Sequence, residues 1–355
     1  MTIKRFWAAA LLFLVLFLVA CGGAEEESSP TPESTPVPTP VVTPEPEPED
    51  YRNPLTGELT ETDISRQRPW AVLLNNIRVA LPQNGIGQAD IIYEMPVEGG
   101  ITRILAVFQD IEGVGEIGPV RSARHYFLDL VQAHDAIFVF AGGSNQAYTD
   151  IRERGIARID GVHGSGVEFF RDPERIRRAA FEHSLMTTGD LLLENVGRYD
   201  YRREHGPGFG TGLRFAEDGT PAGGEAAYEV SVRFSNVKTG VFTFDEDTGL
   251  YRVSQFGQPH IDGNTDEQIE VANVLVLFAS FRVMDNEGRL DVDLNLGGEG
   301  YFISGGRAVP IRWSKGGYDA PFVYTLMDGS PLELTIGRTY VNIVNVNTGE
   351  VTIGG

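Results

Sequence analysis

A chain of 355 residues with 50 acidic against 29 basic side chains carries a formal net charge of −21. That balance excludes a nucleic-acid partner, because phosphate contacts need clustered Lys and Arg. At roughly 100–200 residues per domain, the length allows two domains once the N-terminus is set aside.

The first residues read as an export signal. Lys4 and Arg5 form a basic start, Phe6 to Ala20 form an apolar run, and Leu18-Val19-Ala20-Cys21 closes it as a lipobox-like sequence. The run is short for a membrane-spanning helix, which needs about 20 residues. Residues 1–20 are therefore expected to be a lipoprotein signal peptide, removed before Cys21 takes its diacylglyceryl group. This places the protein at the cell membrane, lipid-anchored on the extracytoplasmic face. Cys21 is the single cysteine, so no internal disulfide can form. Residues 21–50 follow as a tether rich in Pro and Glu and free of Lys and Arg; it cannot build a core and should be extended and solvated.

Residues 51–200 alternate strand and helix signals. Trp70–Leu74, Ile91–Val97 and Ile101–Gln109 read as strands, the last two joined through a hairpin-like turn at Glu98-Gly99-Gly100. Gly118-Pro119 then leads into a helix predicted over 122–134. Ala136–Ala141 is apolar throughout, as in a central strand covered on both faces. Helices are expected over 145–154, from Asp172-Pro173 to about Ala180, and after a Thr187/Asp190 capping box. The pattern predicts an α/β domain with a mixed sheet and helices. Residues 201–225, rich in Gly, read as a linker. Residues 226–355 hold alternating strands and paired glycines and read as a β-rich domain.

Most chemical motifs are absent. The six histidines offer no HExxH and no paired spacing, so no metal and no cofactor is expected. The oxygen-bearing run His260-Ile-Asp262-Gly-Asn264-Thr-Asp266 lacks the distal Glu of a calcium loop and reads as a polar turn. Gly142-Gly143-Ser144 matches neither a nucleophile elbow nor a P-loop.

An arginine group remains. Arg121 and Arg124 fall in the first turn of the predicted helix, where the positive end of the helix dipole disfavours cations. Arg103 follows the Glu98 turn and could converge with them. Either an internal carboxylate neutralises the group, with Asp90, Glu94 and Glu98 as the nearest candidates and Glu98 foremost, or Arg103, Arg121, Arg124 and Ser122 hold an anionic ligand. In the second case Glu98, Asp90 or His125 could serve as a base.

The segments NPLTGE, RPWAVLLNN, QADIIYE, EGGITR, IGPVRSAR and FAGGS resemble the N-terminal domain of the YerB-like lipoproteins. ANVLV, WSK and GRTYVNIV are similar to that family's C-terminal domain. The resemblance implies a bacterial, lipid-anchored, two-domain envelope protein and carries no established activity. A fainter likeness, in the order of strand, Pro-Arg segment and Gly-Gly, is to the LytR-CpsA-Psr phosphotransferases. It implies an anion pocket and, as partners, peptidoglycan or a polyprenyl-phosphate-linked glycan, although GPVRSAR stands where those enzymes have a SIPRD-type run.

Overall fold

Apolar runs of strand length place the centre of the molecule. The computed structural model describes residues 50–355; the signal peptide, Cys21 and all but the last residue of the tether lie outside the described residues. Four strands carry the first half: β1 (Trp70–Asn76), β2 (Ile91–Pro96), β3 (Thr102–Phe108) and β4 (Ile137–Phe140). All four are buried along their whole length. A short β5 (Arg158–Asp160) follows. β3 is antiparallel to both β1 and β2, whereas β4 is parallel to β1 and β5 to β4. The sheet is thus mixed, as the hairpin at Glu98 requires.

Alternation along β1 assigns its neighbours. Ala71 and Leu73 pack with Leu105 and Phe138 against helices α1 (Phe127–Ala133) and α2 (Asn145–Glu153). Val72 and Leu74 face the other side, in a layer shared with Phe108, Val230, Phe242 and Tyr251. Each such side chain contributes roughly 1.5–3 kcal/mol when fully buried. Two further helices, α3 (Pro173–Ala179) and α4 (Gly189–Asn195), complete this half. The α4 cap is Thr188, whose side chain accepts from Leu191 N, and not Thr187. Thr187 instead donates to the Glu168 carbonyl.

The second half is strand-rich. A smaller sheet is built on β6 (Glu229–Ser235), β7 (Lys238–Asp245) and β8 (Leu250–Gln255). The long β9 (Asn273–Val283) carries the hairpin strand β10 (Leu290–Asp293) and pairs with β11 (Gly298–Ser304), which pairs in turn with β12 (Arg307–Lys315). β13 (Thr339–Asn345) lies parallel to β9 on one side and to β2 on the other, with Thr339 opposite Asn273 and Ile91. One twelve-stranded sheet therefore runs through both halves.

Residues 201–225 are fastened along their length. Arg68 N donates to Arg203 O and His205 N to Arg66 O, while Phe215 and Ala216 pair with Leu334 and Thr335. The His260–Asp266 turn is a clasp between the halves. Asp262 accepts from the backbone N–H of Gly85, Gly87 and Asn264, and His260 Nε2 meets Gln83 Oε1 at 2.8 Å.

The helix predicted over 122–134 starts later, at Phe127. Beyond Val72 the end of β1 turns to a new neighbour: Leu74 bridges to Val120, and Ala123 bridges to Gly143 after β4. Arg121 N donates to Leu73 O and Ala141 N to Arg121 O. Residues 120–123 are thus held extended between the two strand ends. The N–H groups of Arg121 and Ala123 are spent on Leu73 O and Gly142 O, so Arg121 does not stand at a helix start, and Arg124 lies in the turn before α1, its carbonyl accepting from Phe127 N at 3.1 Å.

Candidate functional site

Because β1, β2, β4 and β5 run in one direction, their carboxyl ends share an edge with the amino end of β3. Open α/β sheets bind ligands at that edge. It collects Glu98, Arg103, Arg121, Ser122, Arg124 and His125, so the arginine group does converge although the predicted helix did not place it.

Arg124 Nε contacts Glu98 Oε1 at 2.6 Å, and its Nη1 donates to the Ala123 carbonyl at 2.9 Å. Burial opposes ionisation of Glu98, but the Arg124 hydrogen bond and the nearby Arg103 hold its carboxyl below the usual range. Arg103 projects from β3, opposite Asn75 and Met95. It is only 7% exposed, yet its one hydrogen bond runs from Nη1 to the Ser122 carbonyl at 2.6 Å. No carboxylate of the described residues lies within ion-pair distance of it. Burial, and then the like charge of Arg124, press its pKa down to about 9.

Arg121 is half-buried. Burial lowers its pKa, Glu182 opposes this, and Arg124 and Arg171 lower it further. Its side chain makes no hydrogen bond or close ion pair among the described residues. Arg121 thus lies in electrostatic range of Arg103, Arg124 and Arg171, with Glu98 acting on Arg103 and Glu182 on Arg121. In an acidic chain this is a local surplus of positive charge.

The remaining candidates separate from the group. Asp90 lies at the opposite edge, where it accepts from Gln109 N at 2.6 Å and Asn53 Nδ2 at 2.8 Å. With Ile91 opposite Val107 and Met95 opposite Arg103, Asp90 is five residues along the strand from Arg103, about 17 Å at ~3.3 Å per residue. It is neither partner nor base for the arginines. His125 turns to the β10 hairpin, its Nε2 2.9 Å from Asp291 Oδ1.

Sequence reasoning missed a second feature. A cleft of about 960 Å³ is lined by Arg68, Asp135, Arg154, Arg202, Phe209 and Asp319, among others. Asp135 holds the left-handed conformation (φ 47°) and meets Arg202 at 2.9 Å, His205 Nδ1 at 3.1 Å and Arg68 at 3.3 Å. His205 stacks on Phe209 at 3.8 Å between centroids. The run Gly206-Pro-Gly-Phe-Gly-Thr-Gly212 was the available signal, but a glycine-rich stretch between two domains reads equally as a linker.

Fold and site together define a two-part protein, a mixed α/β half and a strand-rich half joined by one sheet, with an arginine-lined edge. The chain belongs to the DUF3048 family: residues 55–202 match the model described as "Protein of unknown function (DUF3048) N-terminal domain", and residues 230–341 match its C-terminal domain. It is 30% identical to "Putative lipoprotein YerB" of Bacillus subtilis (strain 168) over 96% of this chain and 95% of that protein. The crystal structure of the YerB protein from Bacillus subtilis is similar at a TM-score of 0.74 and 29% identity, covering 85% of this chain and 99% of that one.

Proposed function

We propose that this protein is a lipid-anchored binding protein of the cell envelope, held through Cys21 on the extracytoplasmic face, that takes an anionic cell-wall ligand at the carboxyl edge of its sheet. The observation that carries the reading is Arg103. A buried guanidinium costs several kcal/mol of desolvation unless it is paired, and Arg103 has one carbonyl and no carboxylate. A phosphate or carboxylate of a peptidoglycan fragment or polyprenyl-phosphate-linked glycan would supply the missing charge, with Arg121 beside it. A transferase reading has less support, since Asp90 lies at the opposite edge and His125 is engaged by Asp291.

Arg103→Met tests this. Glu98 keeps its Arg124 hydrogen bond and loses only the field of Arg103, so the free variant should melt at or above the wild-type temperature, as replacement of a buried charge without a close carboxylate predicts. Binding of inorganic pyrophosphate or purified muropeptides, read by calorimetry on the full chain in detergent, should fall at least tenfold. A variant that melts far lower, with no wild-type binding of either probe, would leave Arg103 a structural residue.

A second reading of the location places the ligand in the cleft, favoured by the backbone of Asp135, since such strain gathers at binding sites. Loss of binding in Arg202→Ala with Arg103→Met unaffected would select it.

A further inference from the structure

Lys238 and Glu94 form an ion pair at 3.0 Å with both side chains 1% exposed. Lys238 begins β7 in the second half, and Glu94 lies in β2 of the first. Glu94 also accepts from Asn76 Nδ2 at 2.9 Å, Thr102 Oγ1 at 2.5 Å and Tyr340 Oη at 2.6 Å. Lys238 Nζ touches a third group, the carboxamide oxygen of Gln255, at 2.5 Å. The other end of that carboxamide, Gln255 Nε2, is buried with no hydrogen-bond partner among the described residues.

A buried amine in contact with both a carboxamide and a carboxylate supplies the components of an acyl transfer. We infer that Lys238 and Gln255 join in an intramolecular isopeptide bond, with Glu94 moving the protons. A carbonyl carbon lies ~1.2 Å behind its oxygen, so Nζ stands within roughly 3.7 Å of Gln255 Cδ, close to a near-attack distance. The Lys238 ammonium first passes a proton to Glu94. Burial favours the neutral amine, pressing the lysine pKa down against the pull of Glu94.

The amine then attacks Cδ, forming the C–N bond. As Cδ becomes tetrahedral and Nε2 swings towards Glu94, the acid gives Nε2 its proton while taking one from the attacking nitrogen, the Cδ–Nε2 bond breaks, and the nitrogen leaves as ammonia. Ammonia carries off the proton remaining on Glu94 as ammonium, which restores the carboxylate facing Asn76, Thr102 and Tyr340. No oxidant or further reactant is needed. A cavity of about 260 Å³ lined by Lys238, Phe256, Val237, Ile101 and Asn76 offers the leaving molecule a way out.

Gln255 is the electrophile and Asn76 is not. Asn76 is satisfied at both ends, Nδ2 on Glu94 and Thr102 and Oδ1 on Gln83. Gln255 keeps one amide end unmet, and a buried donor without a partner is destabilising. Its departure removes that cost.

The test is a peptide map of the full chain purified in detergent. Trypsin should fail to cut after Lys238, and mass spectrometry should find one branched peptide joining Lys238 to Gln255, lighter by one ammonia than its two parts. Gln255→Glu and Lys238→Met should give only linear peptides, and Glu94→Gln should leave the bond unformed. Complete cleavage after Lys238 in the wild type, with both linear peptides at full mass, overturns the inference. A branch from Lys238 to Asn76 also overturns it, since the electrophile would be wrong.

Discussion

Replacing Asp262 with Ala removes the acceptor that fastens the second half of the chain to residues 85–87. The residue is 2% exposed, and its two oxygens receive Gly87 N at 2.6 Å, Asn264 N at 2.7 Å and Gly85 N at 3.2 Å. Hydrogen bonds to a charged group contribute roughly 1.5–3 kcal/mol, and a buried N–H left without a partner costs about 1–3 kcal/mol. Gly85 is buried and would lose its partner outright, whereas Gly87 is half-buried and Asn264 exposed, so both can turn to water. The expected loss is about 4 kcal/mol, a large share of the ~5–15 kcal/mol that stabilises a typical protein. Asp262→Asn should lose about half as much, because it keeps one acceptor oxygen and sets its Nδ2 against a donor. Urea unfolding followed by Trp fluorescence measures both variants. A loss below about 1 kcal/mol for Asp262→Ala would refute the clasp. So would a calcium-induced rise in melting temperature that the variant abolishes, because the turn would then be a cation loop.

Asp90 gives a pH prediction. Burial raises its pKa from 3.8 to about 6, against the hydrogen bonds from Gln109 and Asn53. A carboxyl raised on folding contributes stability that is complete below its unfolded pKa and is lost as pH rises through the folded value. Stability should therefore fall between about pH 4 and pH 7, by at most about 3 kcal/mol and less where solvent screens the partly exposed side chain. Asp90→Asn should flatten that slope in melting curves taken across the range; an unchanged slope would assign it to other groups. Gly189 opens α4 with the backbone pressed on its neighbours, and an added Cβ would stand 2.0 Å from Ile111 O and 2.8 Å from Val114 O. Gly189→Ala should thus cost upwards of about 3 kcal/mol, whereas Gly197→Ala, which meets open space, should be neutral within about 0.5 kcal/mol. Equal melting temperatures for the two variants would contradict this.

The sheet of the first half was legible because its strands are buried on both faces and so read as unbroken apolar runs, WAVLL and AIFVF among them. The α1 start was not. Arg121 to Ala123 carry helical spacing with the residues beyond, but their backbone is captured by Leu73 and Gly142, partners that lie far off in sequence. For the same reason Asp90 read as a candidate partner beside the better-placed Glu98, and only strand direction removes it. The Glu94–Lys238 pair left no sequence signal. Glu94 sits within the apolar run IIYEMPV and Lys238 in a polar turn, and neither position advertises a buried partner. Glu98, Arg103 and Arg124 were legible because a turn and the strand after it keep neighbours in sequence close in space.

The place of β13 has a consequence for how the protein can be made. β2 exposes no face and, until Thr339–Asn345 arrives, one of its edges has no strand beside it. That partner lies near the C-terminus. A chain threaded outward from its N-terminus would present the Ile91–Pro96 edge, apolar and unbridged, throughout most of its emergence, and such an edge invites pairing with other chains. Completion of the first half waits on the last strands to emerge. A chain released before residue 345 is made would be an aggregation-prone half-sheet, and a holdase that covers β2 until then is the kind of assistance this topology calls for.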